Sequence, residues 1–227
     1  MRINQKGFTL IEIAIVLVII GLLLGGVLKG QELIQNARVR NIISQQEGVR
    51  AAYFGFQDRY RGVAGDYPSA LAIQNIPGMS GQGCAPASCG GDSNGVINTV
   101  TRQEPLLAWM QLSLAGFITG SYVTDGVTAG ETTANSPTNP YGGFMQLIND
   151  AIYNPLGGVA RNNVKTGAGI PSTILGEVDR KIDDGNPSTG EFRFSGFGGA
   201  LPACVTAAPV TWDVNTGQAN CGAASLF

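Results

Sequence analysis

The chain opens with a few polar residues and then runs apolar without a break. From Phe8 to Leu28 ("FTLIEIAIVLVIIGLLLGGVL") it holds 21 residues with one charge, Glu12. As a helix rising about 1.5 Å per residue the run is roughly 32 Å long, enough to cross a bilayer. It outruns the apolar region of a secretory signal, and no A-x-A-like site follows, so the pattern predicts a retained membrane anchor. The alternative is the core helix of a soluble protein, but 21 such residues exceed what that usually needs. Gly21 and Gly25, then Gly26 and Gly30, make two G-x-x-x-G spacings. Such spacings let helices approach closely in lipid. Arg2 and Lys6 precede the run and Lys29, Arg38 and Arg40 follow it, so flanking charge alone does not orient it.

The helical pattern continues past the anchor. No Pro occurs between Met1 and Asp66, so nothing forces the helix to stop at a membrane surface. Ile42, Val49, Tyr53, Phe56 and Tyr60 fall on one face at about 100° per residue, the stripe of an amphipathic core helix. "GVAGDYPSA" predicts its end near Arg61-Gly62. A helix from Phe8 to Arg61 would be roughly 80 Å long.

Beyond it the pattern shortens. "GMSGQGCAPASCGGDSNG" reads as loop. "EPLLAWMQLSLAGF" predicts a helix from Glu104 to about Ala115, with Pro105 in the first turn and an apolar face of Leu106, Trp109, Met110 and Leu114. "GFMQLIND" and "GEFRFSGF" alternate as strands do. "STILGEVDRKIDDGNP" predicts a second helix, capped by Ser172 and ended by Gly185 and Pro187. The domain reading is therefore residues 1–7 as a leader, 8–28 as a transmembrane helix, 29–61 as its continuation, and 62–227 as one globular head.

Charge sharpens the division. Residues 1–61 carry eight Lys/Arg against four acids, and residues 62–227 carry six against twelve. An acidic head argues against nucleic acid as a partner, because phosphate contacts need clustered Lys and Arg. The chain has no His, which removes the commonest general base and metal ligand. No nucleotide-binding G-x-x-x-x-G-K-[ST] loop is present, and without His no Ser-His-Asp triad can form.

The stretch "KGFTLIE" resembles the processing site of type IV prepilins and of type II secretion pseudopilins. In that family a short basic leader ends in Gly, and a hydrophobic helix follows with Glu at its fifth position. Gly7 and Phe8 match the cleavage pair, and Glu12 matches the acid. The resemblance covers about the first 30 residues. It implies cleavage between Gly7 and Phe8 by the prepilin peptidase/N-methyltransferase, N-methylation of Phe8, and a head outside the cytoplasm. It also implies an α+β, pilin-like fold: a long N-terminal helix packed on a small antiparallel sheet, with loop insertions. Many members have a Pro just beyond the membrane, where this chain has Lys29 and Gly30.

Four cysteines in an exported head suggest two disulfides, with three possible connectivities. Pairing of neighbours is the most economical: Cys84–Cys89 and Cys204–Cys221. The second resembles the C-terminal disulfide loop of type IV pilins. A zinc site competes poorly, lacking both His and the usual two-residue Cys spacing. Two acidic stretches raise calcium: Asp92, Asn94 and Gly95, and Asp179, Asp183, Asp184 and Asn186. Neither completes a calcium-loop pattern, and Asp and Asn are ordinary turn formers, so no metal and no cofactor is expected.

The reading is a structural subunit of a type IV pilus or type II secretion pseudopilus, with a minor, priming role in view, and not an enzyme. Its expected partners are identical or related pilin subunits, the peptidase, an inner-membrane assembly platform and membrane lipid. Its expected place is the bacterial inner membrane as a single span with a periplasmic head, then the filament. The rival is a monomeric, membrane-anchored periplasmic enzyme or binding protein. Glu12 is expected to serve assembly, by pairing with the Phe8 amine of a neighbouring subunit.

Overall fold

A computed structural model describes residues 7, 9–155, 157–207 and 209–227. Helix α1 runs Leu10–Tyr60 without interruption, through Lys29 and Gly30. It stops where Arg61 takes a left-handed backbone conformation (φ 54°). The chain divides into two compact units at Arg38/Val39. In the first unit the helix is apolar over Leu10–Leu28 and exposed along that stretch, with Leu10 93% and Leu22 74% accessible. It is long and apolar enough to cross a membrane.

The second unit is an α+β, pilin-like head. Val39, Ile42, Gln46, Val49, Ala52, Tyr53 and Phe56 form the buried face of α1 there. Short α2 (Ser69–Asn75) and α3 (Glu104–Leu114) follow. Next come β1 (Gln146–Asp150), β2 (Arg161–Lys165), α4 (Ser172–Ile182), β3 (Phe192–Phe194) and β4 (Ala223–Leu226). The strands form one antiparallel sheet in the order β1-β2-β4-β3.

Two apolar clusters use α1 as their common wall. One joins Val49, Tyr53 and Phe56 to Leu107, Trp109 and Met110 of α3 and to Leu147 and Val164 of the sheet. The other joins Val39 and Ile42 to Ile174, Leu175 and Val178 of α4, to Phe192, and to Trp212. Cys204 is disulfide-bonded to Cys221 inside this second cluster, and Cys84 to Cys89 beside the first.

Several local expectations need correction. Tyr60 packs at the edge of the first cluster, partly buried, and Val39, Gln46 and Ala52 join the packed stripe. Ser172 does not cap α4. It is the first helical residue, Pro171 holds the cap position, and Ser172 Oγ donates to the Asp213 carbonyl at 2.5 Å. That bond ties α4 to the segment after Trp212 instead of satisfying the helix's own amides. Strands β2 and β4 and helix α2 had no sequence signal. Strand β2 ("RNNVK") is polar, β4 ("AASL") is built of small residues, and α2 has seven residues.

Candidate functional site

The N-terminal motif is compact. Gly7 is exposed, and a Cβ built on it meets nothing within 4 Å. Phe8, the expected new N-terminus, lies outside the described residues. Thr9 and Glu12 follow, and they close on one another. Thr9 N–H and Thr9 Oγ1 donate to Glu12 Oε2 at 2.8 and 2.7 Å, and Glu12 N–H reaches back to Thr9 Oγ1 at 3.4 Å. This is a capping box, in which a Thr at the helix start and a Glu three residues on satisfy each other's backbone amides. The signal is present in the sequence as "TLIE", a T-x-x-E spacing that the charge of Glu12 obscures.

The glycine pairs are equally open. A Cβ at Gly21, Gly25, Gly26 or Gly30 would meet no atom within 4 Å. Among the described residues these glycines have no packing neighbour. The grooves they leave are available to another helix.

The acidic stretches of the head gather into two groups. Asp66, Asp92 and Glu104 bring carboxylate oxygens within 4.8 Å of one another, as do Asp179, Asp183 and Asp184. Asp66 and Glu104 were not singled out in the sequence. They lie 26 and 12 residues from Asp92, and only the fold unites them. Either group has the oxygen donors that a hard cation would need. The oxygens already have partners, however. Asp66 accepts from the Asn94 and Gly95 amides at 3.1 and 2.7 Å, and Glu104 from the Asp92 and Asn98 amides at 3.0 and 2.7 Å. Asp179 accepts from Trp212 Nε1 at 2.6 Å and from the Gly185 amide at 3.0 Å. These carboxylates hold loops. Asn186, read with the second group, spends its side chain on Ser188, accepting from its N–H and Oγ.

Burial acts against the charge of three of these acids. It pushes the Glu104 carboxyl up to about 6, against amide hydrogen bonds that favour the charge, with Asp66 and Asp92 adding repulsion. It raises Asp66 for the same first reason. Asp179 is pushed up to about 6 by burial, with Asp183 and Asp184 contributing.

Residues 2–28 match the prokaryotic N-terminal methylation motif, the class III signal peptide of type IV pilin-like proteins. The match takes in Gly7, Phe8, Glu12 and the apolar run, and reaches no residue of the head. No curated protein and no solved structure matches the chain. The chain thus joins an N-terminal methylation motif and a long apolar helix to a disulfide-bonded α+β head.

Proposed function

We propose that this chain is a structural subunit of a type IV pilus or type II secretion pseudopilus. It is cleaved between Gly7 and Phe8 by prepilin peptidase, methylated on Phe8, and held in the inner membrane with its head in the periplasm. From there an assembly platform adds it to a filament of identical or related subunits, driven by a separate ATPase. Its work is assembly and not catalysis.

One observation carries the reading. The matched motif takes in a helix stretch, Leu10–Leu28, that is exposed throughout and apolar but for Glu12, and the same helix goes on to wall both clusters of the head. A subunit that leaves the bilayer for a filament needs such a surface, first facing lipid and then facing other helices. The open Gly21, Gly25, Gly26 and Gly30 positions support close helix contact. Glu12 would pair across subunits with the Phe8 amine that cleavage creates, since an acid surrounded by apolar helices needs a cation.

Mechanical shearing of cells tests the proposal. A filament subunit is released into the sheared fraction at the mature mass. Retention of all the mature protein in the membrane, in cells that make filaments, would overturn the reading in favour of a monomeric anchor.

A further inference from the structure

The sheet has a second face that the filament reading leaves unused. Leu147 and Val164 point into the cluster on α1, so strand alternation turns Gln146, Ile148, Asp150, Asn163 and Lys165 the other way. Against that face lies a cavity of about 580 Å³. Ile148, Ile152, Phe194, Phe197, Pro202 and Val205 give it apolar walls, and Asp150 and Lys165 line it as a polar floor.

The floor is unusual. Lys165 is 1% exposed, donates to Asp150 through Nζ, and places Nζ 5.5 Å from the centre of the Phe197 ring. Asp150 is already occupied: its other oxygen accepts from Asn163 Nδ2 at 3.1 Å and from the Ile152 amide at 3.2 Å. The ammonium has three N–H groups. Among the described residues only Asp150 accepts a hydrogen bond from it. Burial lowers the Lys165 pKa, and Asp150 offsets this in part. A buried ion pair seldom improves stability over apolar residues of the same volume. A cleft of this size, largely apolar with a few convergent polar groups, is the usual make-up of a small-molecule site.

Charge selects the ligand. Lys165 and Asp150 cancel, and Glu131, which accepts from Gln146 Nε2 at 3.3 Å beside the floor, is balanced by Arg193, whose guanidinium lies 5.6 Å from the centre of the lining Tyr153 ring. The walls thus carry no net charge to hold an ion of either sign. We propose that this cavity binds a neutral organic molecule, with an apolar body of about one ring against Phe197 and Ile148 and a hydroxyl or carbonyl oxygen that accepts from Lys165 Nζ. The site does not depend on filament assembly.

The test uses the full chain in lipid nanodiscs, with isoleucine methyl groups labelled and followed by NMR, and empty nanodiscs as the partition control. The probe is 4-methylphenol. It is expected to shift the Ile148 and Ile152 methyls saturably and to leave Ile42 and Ile174, in the opposite core, unmoved. Toluene, which lacks the oxygen, and 4-methylbenzoate, which is charged, should each bind about fivefold or more weakly, the worth of one hydrogen bond. Ala200→Phe, which fills the cavity, should abolish the shifts. The pair variant Lys165→Met with Asp150→Leu leaves no lone buried charge, so it tests the donor even if Ala200→Phe fails to fold. It should bind 4-methylphenol and toluene alike. Shifts that never saturate, that survive Ala200→Phe, or that toluene or 4-methylbenzoate produces at equal affinity would each overturn the proposal. So would tight discrimination by the pair variant.

Discussion

Thr9 and Glu12 cap the start of α1 on each other, with Glu12 Oε2 accepting both the Thr9 amide and the Thr9 hydroxyl. Glu12 therefore has a local role besides the proposed intersubunit one, and the two can be separated. Glu12→Gln keeps a capping-box residue but removes the charge. Glu12→Val removes both. If charge pairing with a neighbour's N-terminal amine registers the helices, both variants should insert and be cleaved, and both should enter filaments poorly. Thr9→Val, which weakens only the cap, should assemble near the wild-type level. Quantifying each variant in the sheared fraction, as the sole copy, decides it. Normal assembly of Glu12→Gln would leave Glu12 as a cap alone.

Among the described residues a larger side chain at Gly7 meets no steric obstacle. Any requirement for glycine must then come from the peptidase, whose approach to the backbone a Cβ would hinder. Gly7→Val should fold and insert, yet accumulate as the uncleaved precursor. Intact-mass spectrometry of the membrane fraction checks this. Recovery of mature protein beginning at methylated Phe8 from that variant would refute the processing site.

These N-terminal residues were the most legible part of the chain. A 21-residue apolar run and an acid at a set distance from Gly-Phe depend on spacing alone, and spacing survives without knowledge of the fold. Helix α3 was readable for a related reason: Leu106, Trp109 and Met110 recur at helical intervals. The head's sheet was half readable. Phe192 and Phe194 announce β3, but β2 buries Asn163 and Lys165, against the usual alternation of apolar and polar positions. Lys165 lines the cavity and both residues donate to Asp150, so polar contacts on that face removed the pattern that would have revealed the strand. The acidic groups were illegible in part because Asp66 and Glu104 meet Asp92 only through tertiary folding.

The disulfides should differ in worth. Cys204–Cys221 closes 17 positions and lies wholly in the second cluster, whereas Cys84–Cys89 closes 5. In the chain-entropy model the longer loop is worth about 3 kcal/mol and the shorter about 2. The double variant Cys204→Ser, Cys221→Ser should therefore lower the denaturation midpoint more than Cys84→Ser with Cys89→Ser. Denaturant melts of the two, compared at one slope, measure the difference. Peptide mapping without reductant should recover 84 with 89 and 204 with 221. A peptide joining Cys204 to Cys84 or Cys89 would show a different connectivity.

The head should grow more stable as pH falls from 7 to about 5. Glu104 and Asp179 each bind a proton more tightly in the fold than in the unfolded chain, since their carboxyls sit at about 6. A group raised in this way contributes stability that is fully present below its ordinary value and is lost as pH rises through its folded value. The window is thus roughly pH 4.5–6, and the size for Glu104 is on the order of 2 kcal/mol. Below about pH 4 the trend should reverse. Asp125, held at about 2 by its bond to Thr128, and Asp184 and Asp213, held low by Thr189 and Thr216, must then take up protons that the fold disfavours. Asp92→Asn removes the repulsive part. It keeps the side-chain oxygen that accepts from the Asn94 amide, gives up the acceptor of the exposed Thr101 hydroxyl, and removes a charge that bears on both Asp66 and Glu104. The variant should be more stable than wild type at pH 7 by about 0.5–1 kcal/mol, as expected for a partly exposed pair of like charges. The gain should shrink as pH falls to about 5, as Glu104 takes up its proton in both proteins. Denaturant unfolding across pH 4–8, with a chelator present so that no stray cation screens the carboxylates, gives both slopes. A gain that is the same at every pH would mean that Asp92 acts through its loop and not through its charge.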